Sequence, residues 1–211
     1  MRQLEITGVR SVEWREAPEP ALGGDGEAIV RPLAVALCDL DSAFLTGAVP
    51  VGDGFPFGHE CVAEVVEVGD GVESVRPGDV VVVPFQISCG ACEACEAGHT
   101  GSCRTVPRGS AYGMKPLGGD WGGALADRLR VPFADAMLVP LPDGLEPAAV
   151  ASVADNVPDG FRTVAAPLAA TPGAEVLVVG GFARSVGLYA TAAAVALGAS
   201  RVVYADTDEG R

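Results

Sequence analysis

Through the first 140 residues, apolar positions come in short runs, each closed by glycine, proline or a polar pair. The run Cys61 to Val68 reads Cys-Val-Ala-Glu-Val-Val-Glu-Val, an alternation that predicts a strand with one wet face. Glu27-Ala-Ile-Val-Arg31 predicts another, continuing past Pro32 into Leu33-Ala-Val-Ala-Leu37 and reaching Cys38. Pro32 has no N–H to give a ladder, so it marks an edge or a bulge. Residues 2–20 predict a strand pair around a polar turn, closed by Pro18-Glu-Pro20, and Val80–Phe85 predicts a further strand. Turns fall at 21–25, 69–71 and 75–79, a short helix or turn at 39–44, and loops at 46–56 and 118–123. With short strands near 126–131 and 137–140, the whole predicts a closed or half-closed β-barrel.

Near Pro142 the pattern changes. Residues 145–170 are Ala-rich with helical spacing, predicted to break at Pro158, and Pro147 suits a first helical turn. Glu175-Val-Leu-Val-Val-Gly180 predicts a buried strand, 186–197 a helix ended by Gly198, and Arg201–Asp206 the next strand. Strand, glycine turn, helix and strand make one βαβ unit of a parallel sheet. The expected fold is therefore α+β and α/β: a β-barrel domain over 1–143, then a βαβ unit of a parallel sheet within 144–211. A complete sheet of that kind needs two βαβ halves and only one is present, so a fragment or a natural truncation is expected.

Composition narrows the classes. Of 211 residues 49% are hydrophobic, enough for a substantial core. Lysine plus arginine number 14 against 28 acidic residues, and a net charge of −14 opposes nucleic acid and anionic membrane surfaces as partners. Apolar runs such as Val80–Val83 and Val176–Val179 are too short to span a bilayer, and Met1-Arg2-Gln3-Leu4-Glu5 has no secretory core. A cytoplasmic protein with reduced or metal-bound cysteines is expected.

The cysteines then carry the chemistry. Cys89, Cys92 and Cys95 stand three apart and Cys103 follows, a spacing suited to one tetrahedral metal held by four thiolates. A disulfide knot is the alternative and needs an oxidising compartment. Gly90, Gly98 and Gly101 allow tight backbone around an ion. Elsewhere Cys38 ends a predicted strand, and His59-Glu60 sits where a loop meets one; thiolate, imidazole and carboxylate all bind zinc. On spacing alone, a lone cysteine and a lone histidine are more often core residues. Cys61 reads as a small buried hydrophobe, and His99 as a surface residue beside four available thiolates.

Together these motifs resemble the zinc-dependent medium-chain alcohol dehydrogenases. The resemblance rests on Cys38-x-x-Asp41, Gly58-His59-Glu60 running into a strand with Gly69, Val75-x-x-Gly78-Asp79, the four-cysteine lobe, and the strand–glycine–strand run ending at Asp206. It implies a GroES-like barrel carrying a catalytic zinc, followed by a Rossmann domain that binds NAD. It further implies zinc ligation by Cys38, His59 and Asp155, with Glu60 as a nearby donor and Asp41 orienting the His59 ring. For Asp155, a helix cap or a solvated carboxylate is the alternative. The implied activity is hydride transfer between an alcohol, polyol or aldehyde adduct and NAD, with zinc as Lewis acid, in a homo-oligomer.

The glycine turn Gly180-Gly181-Phe182-Ala183-Arg184-Ser185-Val186-Gly187 departs from GxGxxG, because its outer glycines are seven apart and Phe182 replaces the middle one. In this longer turn Arg184 or Ser185 is expected to contact phosphate, an ordinary βα turn being the alternative. Asp206, nineteen residues after Gly187, suits a ribose 2′-OH and so favours NAD over NADP. Leu40 stands where the family usually has a relay serine or threonine, which leaves Ser42, Asp39 or water for the proton. Leu40 and the missing half-sheet favour a rival reading, a catalytically silent zinc-binding scaffold.

Overall fold

The computed structural model describes residues 1–207; the end of the predicted second domain, 208–211, lies outside the described residues. Contacts divide the chain into two compact units. Met1–Leu37 and Asp41–Ala154 form the first, and Asp155–Arg211 with Cys38–Leu40 the second.

The first unit opens with β1 (Arg2–Gly8) and β2 (Ser11–Glu16), an antiparallel hairpin whose turn residue Arg10 adopts φ 57°. Then come β3 (Ala28–Ala36), α1 (Asp39–Thr46), β4 (Phe55–Pro56), β5 (Glu60–Val68) and β6 (Val80–Val83). Beyond α2 (Glu93–Glu96) lie β7 (Leu129–Val131), α3 (Ala134–Met137), β8 (Val139–Pro140), α4 (Pro147–Val150) and a 3-10 turn at Ala151–Ala154. Its strands form a three-stranded sheet β2-β1-β4 and a five-stranded sheet β7-β3-β5-β6-β8.

Pro32 sits in an inner strand, and the ladder accommodates it by a register shift between Pro32 and Ala34. On the other side β7 pairs only with Ala28–Val30, so no ladder bond is demanded of the missing N–H. Alternation along β5 sends Cys61, Ala63 and Val65 into the main core with Val81, Val83, Tyr112 and Met137. The opposite face of β5 was expected to be wet, but at its start Val62 packs with Val82 and Ala154. The 3-10 turn covers that end of the strand, which is why the polar residues there are buried.

The second unit contains α5 (Asn156–Ala170), β9 (Glu175–Val179), α6 (Arg184–Ala196) and β10 (Arg201–Ala205). The expected break at Pro158 does not occur. Pro158 is the third residue of α5, where a backbone N–H has no intrahelical acceptor, so its absence is harmless. The interruption lies at Asp155, whose φ −153° and ψ −75° separate α5 from the preceding turn. β9 and β10 pair in parallel, Arg201 opposite Glu175 through Ala205 opposite Val179. Val176, Val178 and Val202 pack on Val164, Leu168, Ala190 and Ala194 of the helices.

Gly160 is where α5 meets α6. A Cβ there would lie 2.7 Å from Ala190 N and 2.9 Å from Val186 O, backbone atoms that cannot swing aside. Alanine would gain about 1 kcal/mol of helix propensity, whereas forcing the helices apart costs typically ~1–3 kcal/mol. Gly160→Ala is therefore expected to be a net loss, read as a lower midpoint in a thermal melt followed by circular dichroism. A midpoint at or above that of the parent chain would show that the two helices are not in contact there.

Candidate metal centres and nucleotide turn

The cysteine lobe is a short excursion containing α2 and a 3-10 turn at Thr100–Ser102. Gly90 at φ 74° and Gly98 at φ 79° reverse the chain on either side of α2 in a region where a side chain would be strained. The folding brings the sulfurs of Cys89, Cys92, Cys95 and Cys103 within 4.8 Å of one another. Cys92 Sγ lies 3.5 Å from Cys95 Sγ and 4.0 Å from Cys103 Sγ. A tetrahedron with metal–sulfur bonds of about 2.3 Å has edges of roughly 3.8 Å, so these separations suit four ligands of one ion. All four cysteines are free, which rules out the disulfide knot in this structure.

Donors around the sulfurs favour negative charge. Cys89 N–H points to Cys103 Sγ at 3.4 Å, Arg104 N–H to Cys92 Sγ at 3.4 Å, and the Thr105 hydroxyl to Cys89 Sγ at 3.0 Å. The Arg104 backbone N–H is the main reason the Cys92 thiol falls to about 6, while burial pushes Cys95 up to about 11. Thiolates held by N–H donors, with one sulfur needing a counter-charge to ionise, fit a soft divalent cation. His99 is exposed, as the sequence suggested. Cys61 is a core residue whose thiol burial pushes up to about 12.

The second cluster follows from the β3–β5 ladder. Ala36, the last residue of β3, pairs with Glu60, the first of β5, so the segments just beyond both strand ends run side by side. Cys38, His59 and Glu60 each offer a ligand atom within 4.8 Å of the others. The side chains of His59 and Glu60 are fully buried, and that of Asp41, on α1, is 2% exposed. Asp41 Oδ1 faces His59 Nδ1 at 3.3 Å, and Glu60 Oε1 lies 3.8 Å from Nε2. One imidazole nitrogen thus addresses an orienting carboxylate and the other the donor cluster, the arrangement a ligating histidine adopts. Thiolate, imidazole and carboxylate together are a donor set that zinc accepts, so the residues fit the metal.

Ser152 was not singled out from the sequence. Its hydroxyl donates to Glu60 Oε2 at 2.7 Å from the 3-10 turn at Ala151–Ala154. One serine in an Ala-rich stretch carries no signal of this; only the covering of the start of β5 creates it. Asp155 occupies the N-cap position of α5, where its side chain makes no cap bond.

In the glycine turn after β9, Gly180 N–H donates to Ala205 O at 2.7 Å, and a Cβ on Gly180 would lie 2.8 Å from the Tyr204 hydroxyl. Gly181 has open space around it, and Gly187 lets α6 approach the Tyr204 ring, 3.3 Å from where its Cβ would be. Asp206 Oδ2 accepts from the Tyr204 hydroxyl at 2.7 Å. Arg184 begins α6 and is exposed. Ser185, with Arg184 one of the two residues expected to meet phosphate, presents its N–H at 3.0 Å and its hydroxyl at 3.1 Å to the Asp39 carboxylate. The hydroxyl is also within 3.3 Å of Asn156 Oδ1. The first turn of α6 thus already faces an anion belonging to the chain.

Among the described residues no helix is long and apolar enough to cross a membrane. Residues 24–143 match the family model described as alcohol dehydrogenase GroES-like domain. The whole chain is 36% identical over 225 aligned positions to a glutathione-independent formaldehyde dehydrogenase of Pseudomonas aeruginosa and covers 55% of it. A zinc-type alcohol dehydrogenase B of Aspergillus flavus is 35% identical over 76% of this chain and 36% of its own length. Among solved structures, an alcohol dehydrogenase from Thermus sp. ATN1 superposes with a TM-score of 0.89 at 34% identity, over all of this chain and 59% of that one. The chain spans about half the length of the first two full-coverage relatives named here.

Proposed function

We propose a function from one premise: the chain belongs to the zinc-dependent medium-chain alcohol dehydrogenase family. The protein transfers a hydride between a small alcohol, or an aldehyde adduct, and NAD. The observation that carries this reading is the convergence of Cys38, His59 and Glu60 within 4.8 Å, two of them fully buried. Cys38, His59 and Asp155 would hold the catalytic zinc with Glu60 as the adjacent donor, and Cys89, Cys92, Cys95 and Cys103 would hold a structural one. The catalytic zinc, when bound, supplies Lewis acidity toward the substrate oxygen.

The chain's own residues divide the remaining tasks. Asp41 fixes the His59 ring so that Nε2 faces the donor cluster. Gly180, Gly181 and Gly187, with Arg184 and Ser185, form the dinucleotide turn, and Asp206 takes the ribose hydroxyl and disfavours a 2′-phosphate. Residues 1–143 serve as the catalytic domain and 144–211 as part of the nucleotide-binding domain. The working form is a cytoplasmic homo-oligomer with small-molecule substrates.

The metal assignment is tested by zinc content. The purified chain is expected to hold two equivalents, and Cys38→Ser one. A single equivalent that survives Cys38→Ser would sink the catalytic centre and leave the lobe. The rival reading, a zinc-binding scaffold without nucleotide binding, draws support from the Asp39 carboxylate at the start of α6.

A further inference from the structure

Resting on the metal assignment above, we propose that Ser152 is a positioning residue for Glu60, dividing the labour of its two carboxylate oxygens. Oε2 accepts the Ser152 hydroxyl at 2.7 Å, while Oε1 lies 3.8 Å from His59 Nε2, on the side of the donor cluster. A buried carboxylate with both oxygens free could swing, chelate through both or turn away. A charge-assisted hydrogen bond to one oxygen removes that freedom and offers the other to a cation.

Local architecture makes the contact dependable. Glu60 is held by its backbone at the start of β5, paired with Ala36. Ser152 comes from the 3-10 turn whose Ala154 is buried against Val62 and Val82 and whose carbonyl accepts Phe85 N–H at 3.4 Å. Two independently anchored backbones therefore aim a hydroxyl at a carboxylate across 92 residues of sequence.

The test uses the 211-residue chain stripped of metal and titrated with cobalt. The Cys38→Ser variant is subtracted so that only the Cys38/His59/Glu60 centre is read. Ser152→Ala is expected to shift the cobalt ligand-field bands and weaken affinity about 10-fold, the range for losing a hydrogen bond behind a ligand. Ser152→Thr, which keeps the hydroxyl, should restore both. In a Glu60→Gln background, Ser152→Ala should change little, because the hydroxyl acts through the carboxylate. Bands and affinity unmoved by Ser152→Ala would overturn the proposal, as would an equal effect in the Glu60→Gln background. If the parent chain gives no difference spectrum, the metal assignment itself falls and takes this inference with it.

Discussion

Replacing Cys95 by serine is expected to unravel the lobe between residues 89 and 106 while leaving the rest of the first unit folded. Four residues of helix, a single 3-10 turn and little buried apolar surface beyond Ala94 and Cys95 cannot hold this excursion together. A structural zinc can contribute on the order of 10 kcal/mol or more of apparent binding energy, far above what so short a segment gains from hydrogen bonds. Burial pushes the Cys95 thiol up to about 11, and a neighbouring cation offsets that cost of ionising it. Serine at that position offers a poor ligand. Limited proteolysis should nick the variant within the lobe, with one zinc equivalent lost and the other kept. A variant that resists protease and keeps both equivalents would mean that the lobe is not organised by metal.

Asp39→Asn is expected to tighten the binding of ADP-ribose at least ~10-fold. Helix N-termini attract anions through unpaired N–H groups, and the first turn of α6 is the one that a pyrophosphate would approach. In this structure Asp39 already fills that role through Ser185 N–H and Oγ. A phosphate drawn to the same donors must displace a carboxylate or sit beside it. Two like charges about 5 Å apart repel by roughly 3 kcal/mol at an effective dielectric constant near 20, enough to decide between binding and none. Asparagine keeps the acceptor oxygen and removes the charge, so the turn should stay intact. Isothermal titration with ADP-ribose reads the difference. Unchanged or weaker binding would show that Asp39 is a structural cap with no bearing on nucleotide, and absence of binding in both forms would favour the scaffold reading.

What could be read from the letters was whatever depends on local spacing. The four thiolates announce themselves because a small lobe must bring them together within a few residues of one another. The strand–turn–helix–strand pattern from Glu175 to Asp206 is legible for the same reason, as is the disturbance at Pro32. Harder to read were features created by packing between distant segments. The wet face expected for β5 is covered near its start by Ala154, and with that covering comes the Ser152–Glu60 bond. Pro158 looks like a breaker in isolation, yet two residues after the start of α5 it takes a place where nothing is lost. Ser185 carries the expected chemistry for phosphate, but whether an aspartate from 146 residues earlier reaches it is invisible to any window of sequence.

The irregularity in the β3–β5 ladder has a bearing on how this protein could be altered. Side chains on a strand face opposite ways at every step, so adding or deleting a single residue between Pro32 and Ala36 would turn the remainder of the strand over. Cys38 would then leave its neighbours without any change to its own identity. Substitutions along this segment leave its register intact; a change in its length would silence the centre in one move.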